Sequence, residues 1–476
     1  MAAEPREPEG VLKEIKTFDN DLFFITEILF ECPIDYEKPK DKDNSIILSF
    51  KLVQGDKTAK TTAGLTISQH KLLVYLCGGP GDSNSPARMP ELNRFFLERD
   101  YWILYPDYRG TGDSSSKEII HSLGKTDMPR ALYILKHLGQ TNIVRDLEAV
   151  RITLHQKADK WSICAQSYGG WILYSYLSFS YAGLRRIYNN AGLTPIHYDA
   201  TRVHQQLFRN IIKRNETYYA LYPDDIHRVK HIALWLARQN DGKGIKLPAW
   251  GNLTAKQFLC LGRNLGTEAK FTQLNKLYEK MYRDIGSEDE SESLTDETIE
   301  LYKATDSWRF NKRPLYAILN ESQYLRNTDD VTKWVAQRVA SEPEFVPYFW
   351  WVNCPDEELG KGFLGREKLY LSGEMIYPFF FDNYEALKPL KAVAMEFANC
   401  KLEEPSYDLE QIKENKVPIT AVHGSKDVVV DPGLAEATWK NTGSIKVKEV
   451  EGLEHGAIRS DTALVLKTHL ELGEFE

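Results

Sequence analysis

Trp161-Ser162-Ile163-Cys164-Ala165-Gln166-Ser167-Tyr168-Gly169-Gly170 is the stretch whose reading decides the fold. An apolar run ends in a serine flanked by small residues, and Trp171-Ile172-Leu173-Tyr174-Ser175-Tyr176-Leu177 then continues at helical spacing. The pattern reads as strand, sharp turn and helix, with Ser167 at the apex. Such a corner has room only for small side chains two positions either side of the serine, the physical content of the pattern Gly-x-Ser-x-Gly. Ala165 fills the first position and Gly169 the second. Five residues alone describe an ordinary turn equally well, so the neighbours decide.

Upstream, residues 71–77 form a nearly continuous apolar run that ends at Gly78-Gly79-Pro80-Gly81. Residues 101–105 form a second run, ending at Asp107-Tyr108-Arg109-Gly110-Thr111-Gly112-Asp113-Ser114. Runs of this kind suit strands covered on both faces. Between them and the serine, residues 90–98 and 141–155 carry helical patterns, the latter through Ile143, Leu147, Val150 and Leu154. Alternating strands and helices predict a mostly parallel sheet covered by helices, an α/β class fold. Residues 22–32 and 45–54 read as a hairpin at the sheet edge, and residues 1–20 as a mobile tail.

After a strand at 185–189 the character changes. Residues 192–390 are aromatic and helix-patterned, predicting a large helical cap inserted into the core formed by 21–191 and 391–476. Within the cap, 286–297 is an acidic low-complexity run, read as a flexible solvated loop. Strand patterns return at 417–424 and 445–450, each followed by a loop that carries one special residue, Asp427 and then His455.

Ser167, Asp427 and His455 therefore each follow a strand, in the chain order of a hydrolase triad. A serine hydroxyl is a poor nucleophile until an imidazole takes its proton, and the imidazole needs a carboxylate to hold its tautomer and stabilise its cation. His423 is less suited to be the base because it lies within or at the end of a strand. An oxyanion needs backbone N–H groups already aimed at it; Gly78 or Gly79 with the N–H of Tyr168 are the candidates. The same glycines also read as a tight turn needing positive φ. The stretch 107–114 reads as structural, with Arg109 holding loops through its fork of donors, and Cys164 as a buried strand residue.

Composition narrows the classes. With 476 residues, 42% of them hydrophobic, the chain can bury a large core. A formal net charge of -8 lacks the basic footprint of a nucleic-acid binder. Six dispersed cysteines without C-x-x-C pairs argue against a disulfide framework or a zinc site. The N-terminus has no apolar signal segment. No apolar run is long enough to span a bilayer, in keeping with a mean hydropathy of -0.43. The expectation is a cytoplasmic protein with neither nucleic acid nor membrane as partner.

At this point the motifs carry a resemblance. Gly78-Gly79-Pro80-Gly81, Asp107-x-Arg109-Gly110-x-Gly112-x-Ser114 and Gln166-Ser167-Tyr168-Gly169-Gly170 resemble those of the proline iminopeptidases (prolyl aminopeptidases) of the α/β-hydrolase superfamily. Asn142-Ile143-Val144-Arg145-Asp146-Leu147, Tyr218-Tyr219-Ala220-x-Tyr222-Pro223, Pro314-Leu315-Tyr316-Ala317-Ile318-Leu319-Asn320-Glu321 and Gly373-Glu374-Met375-Ile376-Tyr377-Pro378 extend it to the larger members with an extended cap. It covers about residues 25 to 470.

The resemblance implies an α/β-hydrolase fold. It also implies release of an N-terminal residue, preferably proline, through an acyl-enzyme on a serine, with no metal and no other cofactor. Ser167, Asp427 and His455 fall on the family's triad positions. A free charged amine calls for a carboxylate, since an unpaired buried cation is costly. Glu321 and Glu374 are the candidates, each equally readable as a surface or capping carboxylate. Tyr168, Trp171, Tyr377 and Phe379 could wall a pyrrolidine pocket. Ala165, Cys77 and the loop at 422–428 depart from the family pattern. A carboxylesterase or amidase stays open for that reason, as does a non-catalytic binding protein on the same fold. An epoxide hydrolase is disfavoured, because that chemistry puts an aspartate where Ser167 stands.

Overall fold

Uninterrupted apolar strands need cover on both faces, and that requirement organises the chain. A computed structural model describes residues 10–19, 24–39, 43–55, 70–125, 127–154, 159–286 and 293–473. The strands are β1 (Val11–Asp19), β2 (Phe24–Pro33), β3 (Ser45–Gln54), β4 (Lys71–Leu76), β5 (Tyr101–Pro106), β6 (Trp161–Gln166), β7 (Leu184–Asn190), β8 (Ile245–Leu247), β9 (Gly251–Leu253), β10 (Ile419–Gly424) and β11 (Ile445–Val450). Nine of them form one sheet in the order β1-β2-β3-β5-β4-β6-β7-β10-β11, and β8 pairs with β9 separately.

From β5 across to β11 every pairing is parallel. β1, β2, β3 and β5 pair antiparallel. Every residue of β5, β6 and β10 is buried, as their apolar runs predict. β11, at the edge, exposes lysines, which keeps other strands from adding there. Helices Gln140–Leu154 and Tyr168–Phe179 pack together, as do Pro90–Leu97 and Thr462–Leu472. The mostly parallel sheet covered by helices is the α/β-hydrolase fold.

Residues 11–19, expected as part of a mobile tail, are instead strand β1, so the 22–32 and 45–54 hairpin is not the outermost part of the sheet. The free backbone edge of β2 offers a row of hydrogen bonds that a short polar segment can take regardless of apolar content. Residues 1–9 of that tail, and residue 20, lie outside the described residues.

The chain divides into two compact units, one comprising Met1–His197, Ser322–Val331 and Cys400–Glu476, the other Tyr198–Glu321 and Thr332–Asn399. The first holds the large sheet. The second is helical apart from β8 and β9 and is built on helices Ala200–Leu221, Asp224–Arg238 and Phe271–Ile285. It reaches past residue 390 because helix Lys391–Phe397 leads to Ala398, whose carbonyl accepts the Lys333 N–H at 2.8 Å.

Residues 322–331 belong to the sheet unit. There Tyr324 packs edge-on to Trp171 at 5.5 Å between ring centroids, Asp329 pairs with Lys401, and the Arg326 carbonyl accepts from the Ser406 N–H. In the acidic run, residues 287–292 lie outside the described residues. Its far end is not loop, since Thr295 caps helix Asp296–Thr305 and Asp296 and Glu297 occupy the first turn, where acids oppose the helix dipole. Among the described residues, no helix is long and apolar enough to cross a membrane.

The strand order carries the site. The chain leaves β4 for β5 on one side and returns to β6 on the other. The loops after β4 and β6 thus part above neighbouring strands, and such a switch point at the carboxyl ends is where open α/β sheets bind ligands.

Candidate active site

β6 delivers Ser167 into a turn that its own backbone holds open. Ser167 adopts φ 53° and ψ -119°, a strained conformation for a residue with a Cβ. The corner survives because its neighbours are small. A Cβ on Gly169 would stand 2.2 Å from the Leu76 carbonyl oxygen, and one on Gly170 would stand 2.2 Å from that of Gly192. Ala165 needs no such allowance, because it is still regular strand, opposite Leu76 and Asn189.

The acid and the base arrive on two loops bound to each other. After β10, the Ser425 N–H donates to the Val450 carbonyl, and the Lys426 N–H to that of Leu453 at 3.0 Å. Gly424 permits this approach, since a Cβ there would meet the Leu453 carbonyl oxygen at 2.0 Å. Asp427 is buried, and its Oδ1 accepts the N–H groups of Val429 and Val430, each at 2.9 Å. Its Oδ2 lies 2.8 Å from His455 Nδ1, which assigns the ring proton to Nδ1. His455 Nε2 is then an acceptor, 2.7 Å from Ser167 Oγ. The serine, imidazole and carboxylate singled out in the sequence thus form one unbroken hydrogen-bonded chain.

Gly78 lies against that chain. A Cβ there would come within 2.7 Å of Ser167 Cβ and 2.5 Å of Gln166 Oε1. Gly79 instead takes φ +77°, the tight-turn demand. The two glycines therefore answer to different constraints, close approach for Gly78 and conformation for Gly79. Gly78→Ala should push Ser167 Oγ out of line, so labelling of Ser167 by a fluorophosphonate slows by about 10²-fold. The check is the labelling rate of variant and parent at a temperature where circular dichroism shows both folded.

Neither cysteine near the serine competes as a nucleophile. Burial pushes the thiols of Cys77 and Cys164 up to about 12, leaving no thiolate near neutral pH. His423 lies in β10 with Nε2 3.9 Å from Glu449, and burial lowers its pKa. Arg109 is structural, as read from the sequence, and fully buried among loop carbonyls and Asp146. Sequence reasoning passed over Val429 and Val430, whose contribution is a main-chain N–H that no side-chain pattern could signal.

The remaining candidates sit in defined surroundings. Tyr168 is buried, edge-on to Tyr108 at 6.0 Å. Tyr377 is fully buried, with its hydroxyl 2.7 Å from that of Ser372 and its ring stacked on Phe379. Glu321 spends both oxygens on the N–H groups of Val335 and Ala336, at 3.0 and 2.9 Å, and burial raises its pKa to about 7. Glu374 is 19% exposed, pairs with Arg263 at 2.8 Å and accepts the Tyr316 hydroxyl.

Comparison with known proteins follows the same line. The chain is 28% identical over 448 residues to the proline iminopeptidase of Aeromonas sobria, covering 93% of this chain and 95% of that protein. It is 27% identical over 455 residues to proline iminopeptidase aneH of Aspergillus aculeatus, covering 94% and 93%. The chain is similar to the proline iminopeptidases. The resemblance read from its motifs thus holds over nearly its whole length. No family model matches the chain. Among solved structures, a proline iminopeptidase of Mycobacterium smegmatis matches at a TM-score of 0.38 and 11% identity, over 89% of this chain and 95% of that one. So loose a superposition adds nothing to the strand order and the triad.

Proposed function

We propose that this chain is a serine aminopeptidase that releases an N-terminal residue, preferably proline, from small peptides. The observation that carries the reading is the hydrogen-bonded chain from Ser167 through His455 to Asp427, in a sequence similar to proline iminopeptidases almost end to end. As the scissile carbonyl approaches, Ser167 Oγ attacks its carbon while His455 Nε2 takes the hydroxyl proton. Asp427 stabilises the imidazolium and holds its tautomer. The N–H of Tyr168, with that of Gly78 or Gly79, receives the oxyanion. Collapse of the tetrahedral intermediate breaks the C–N bond, and His455 returns its proton to the departing amine. Water, deprotonated by the same ring, then cleaves the acyl ester and frees Ser167.

A charged substrate amine calls for a carboxylate. Of the two candidates we propose Glu374, which is partly exposed, over Glu321, which is buried with each oxygen accepting a backbone N–H. The four buried cysteines Cys32, Cys77, Cys164 and Cys260 are free thiols, which fits a reducing compartment such as the cytoplasm.

The test is a panel of substrates on the purified protein. Proline arylamide should be cleaved fastest, other aminoacyl arylamides more slowly, and N-acetylproline arylamide, which lacks the charge, least. Absence of turnover with every free N-terminal residue would remove the reading, and faster cleavage of simple acyl esters would replace it with a carboxylesterase.

A further inference from the structure

β7 ends in two buried asparagines, Asn189 and Asn190. Asn190 reaches the serine turn from two directions. Its main-chain oxygen accepts the Ser167 N–H at 3.3 Å. Its Nδ2 donates to the Ala165 carbonyl at 3.1 Å and to that of Tyr188 at 3.3 Å, with the Cys164 sulfur 3.5 Å away. Asn190 thus grips the strand just before the turn and the turn itself.

Asn190 is in turn gripped by His469, on the last helix and 1% exposed. His469 Nε2 lies 2.9 Å from Asn190 Oδ1, and Nδ1 lies 2.8 Å from the hydroxyl of Thr420 on β10. An amide oxygen can only accept, so the ring proton is on Nε2 and the Thr420 hydroxyl donates to Nδ1. Burial lowers the His469 pKa to about 3, so the ring stays neutral and keeps one tautomer near neutral pH. Thr420, His469 and Asn190 form a single polar line, each group oriented by the next.

We propose that Asn190 and His469 are positioning residues for the nucleophile, holding the strained turn so that Ser167 Oγ stays in line with His455. A backbone at φ 53° relaxes unless its surroundings over-determine it, and here the groups that do so belong to β7, β10 and the last helix. The inference rests on Ser167 being the nucleophile; it does not depend on the substrate being proline.

The experiment compares His469→Leu, His469→Gln and Thr420→Val with the parent in kcat and KM on proline arylamide and in the rate of Ser167 labelling by a fluorophosphonate. His469→Leu should lower kcat and the labelling rate together by about 10²-fold, with KM nearly unchanged. His469→Gln sets an amide nitrogen where Nε2 stood and should recover most of the loss. Labelling of folded His469→Leu at the parental rate, or a glutamine variant no better than the leucine one, overturns the proposal. Should His469→Leu not fold, Thr420→Val decides. It frees Nδ1 without changing volume and should slow labelling by a few-fold, and a parental rate counts against the line. If the parent labels at Ser167 but cleaves no aminoacyl arylamide, the peptidase reading fails while the labelling comparison still judges this one.

Discussion

Ser167→Ala should yield a folded protein whose turnover of proline arylamide is lower by about 10⁶-fold. The substitution deletes the oxygen proposed to attack and leaves Asp427 bound to His455 and to the N–H groups of Val429 and Val430. The melting temperature should move little, because the hydroxyl bonds to His455, which is partly exposed to water. His455→Ala should cost as much as Ser167→Ala, and the double variant no more, since nucleophile and base act as one unit. Asp427→Asn keeps the shape but offers Nδ1 the wrong group, and should cost about 10⁴-fold. Single-turnover rates per folded molecule give the comparison. A serine variant within a hundredfold of the parent would place the chemistry elsewhere.

The second large effect is on stability. Arg109→Met should lower it by about 3–5 kcal/mol, because it removes one half of a buried ion pair and leaves the other. The Arg109 guanidinium meets both Asp146 oxygens at 2.8 and 2.6 Å and donates to the carbonyls of Ile34, His137 and Pro33 at 2.8, 2.6 and 3.2 Å. Tyr36 adds its hydroxyl to Asp146 at 2.8 Å. Burial already pushes the Asp146 carboxyl up despite these partners, so an unpaired carboxylate there would be poorly tolerated. Lysine cannot replace the fork of donors. Changing Arg109 to methionine and Asp146 to leucine together should recover much of the loss, since no charge is then stranded. Urea midpoints of the single and double variants against the parent give the answer. An Arg109→Met midpoint equal to that of the parent would show the pair to be dispensable.

The sequence by itself determined the class of fold and pointed to the three side chains of the candidate site. Ser167, Asp427 and His455 were legible because each follows a run of residues that can only be a strand. A parallel sheet brings the carboxyl ends of its strands to one edge however far apart they lie in the chain. The small residues at 165 and 169 marked the corner, but what holds Gly169 and Gly170 small is the carbonyls of Leu76 and Gly192, which they meet only in the folded chain. Tertiary structure alone decided which features of the chain those residues would meet. β1 formed because an open strand edge was present, not because residues 11–19 announce a strand. Residues 322–331 joined the sheet unit through Tyr324 and Trp171, and the glutamate just before them, read as a possible amine acceptor, went to backbone donors. Thr420, Asn190 and His469 left no trace as a group, because hydrogen bonds spanning 49 and 279 residues impose no periodicity that a local pattern could carry.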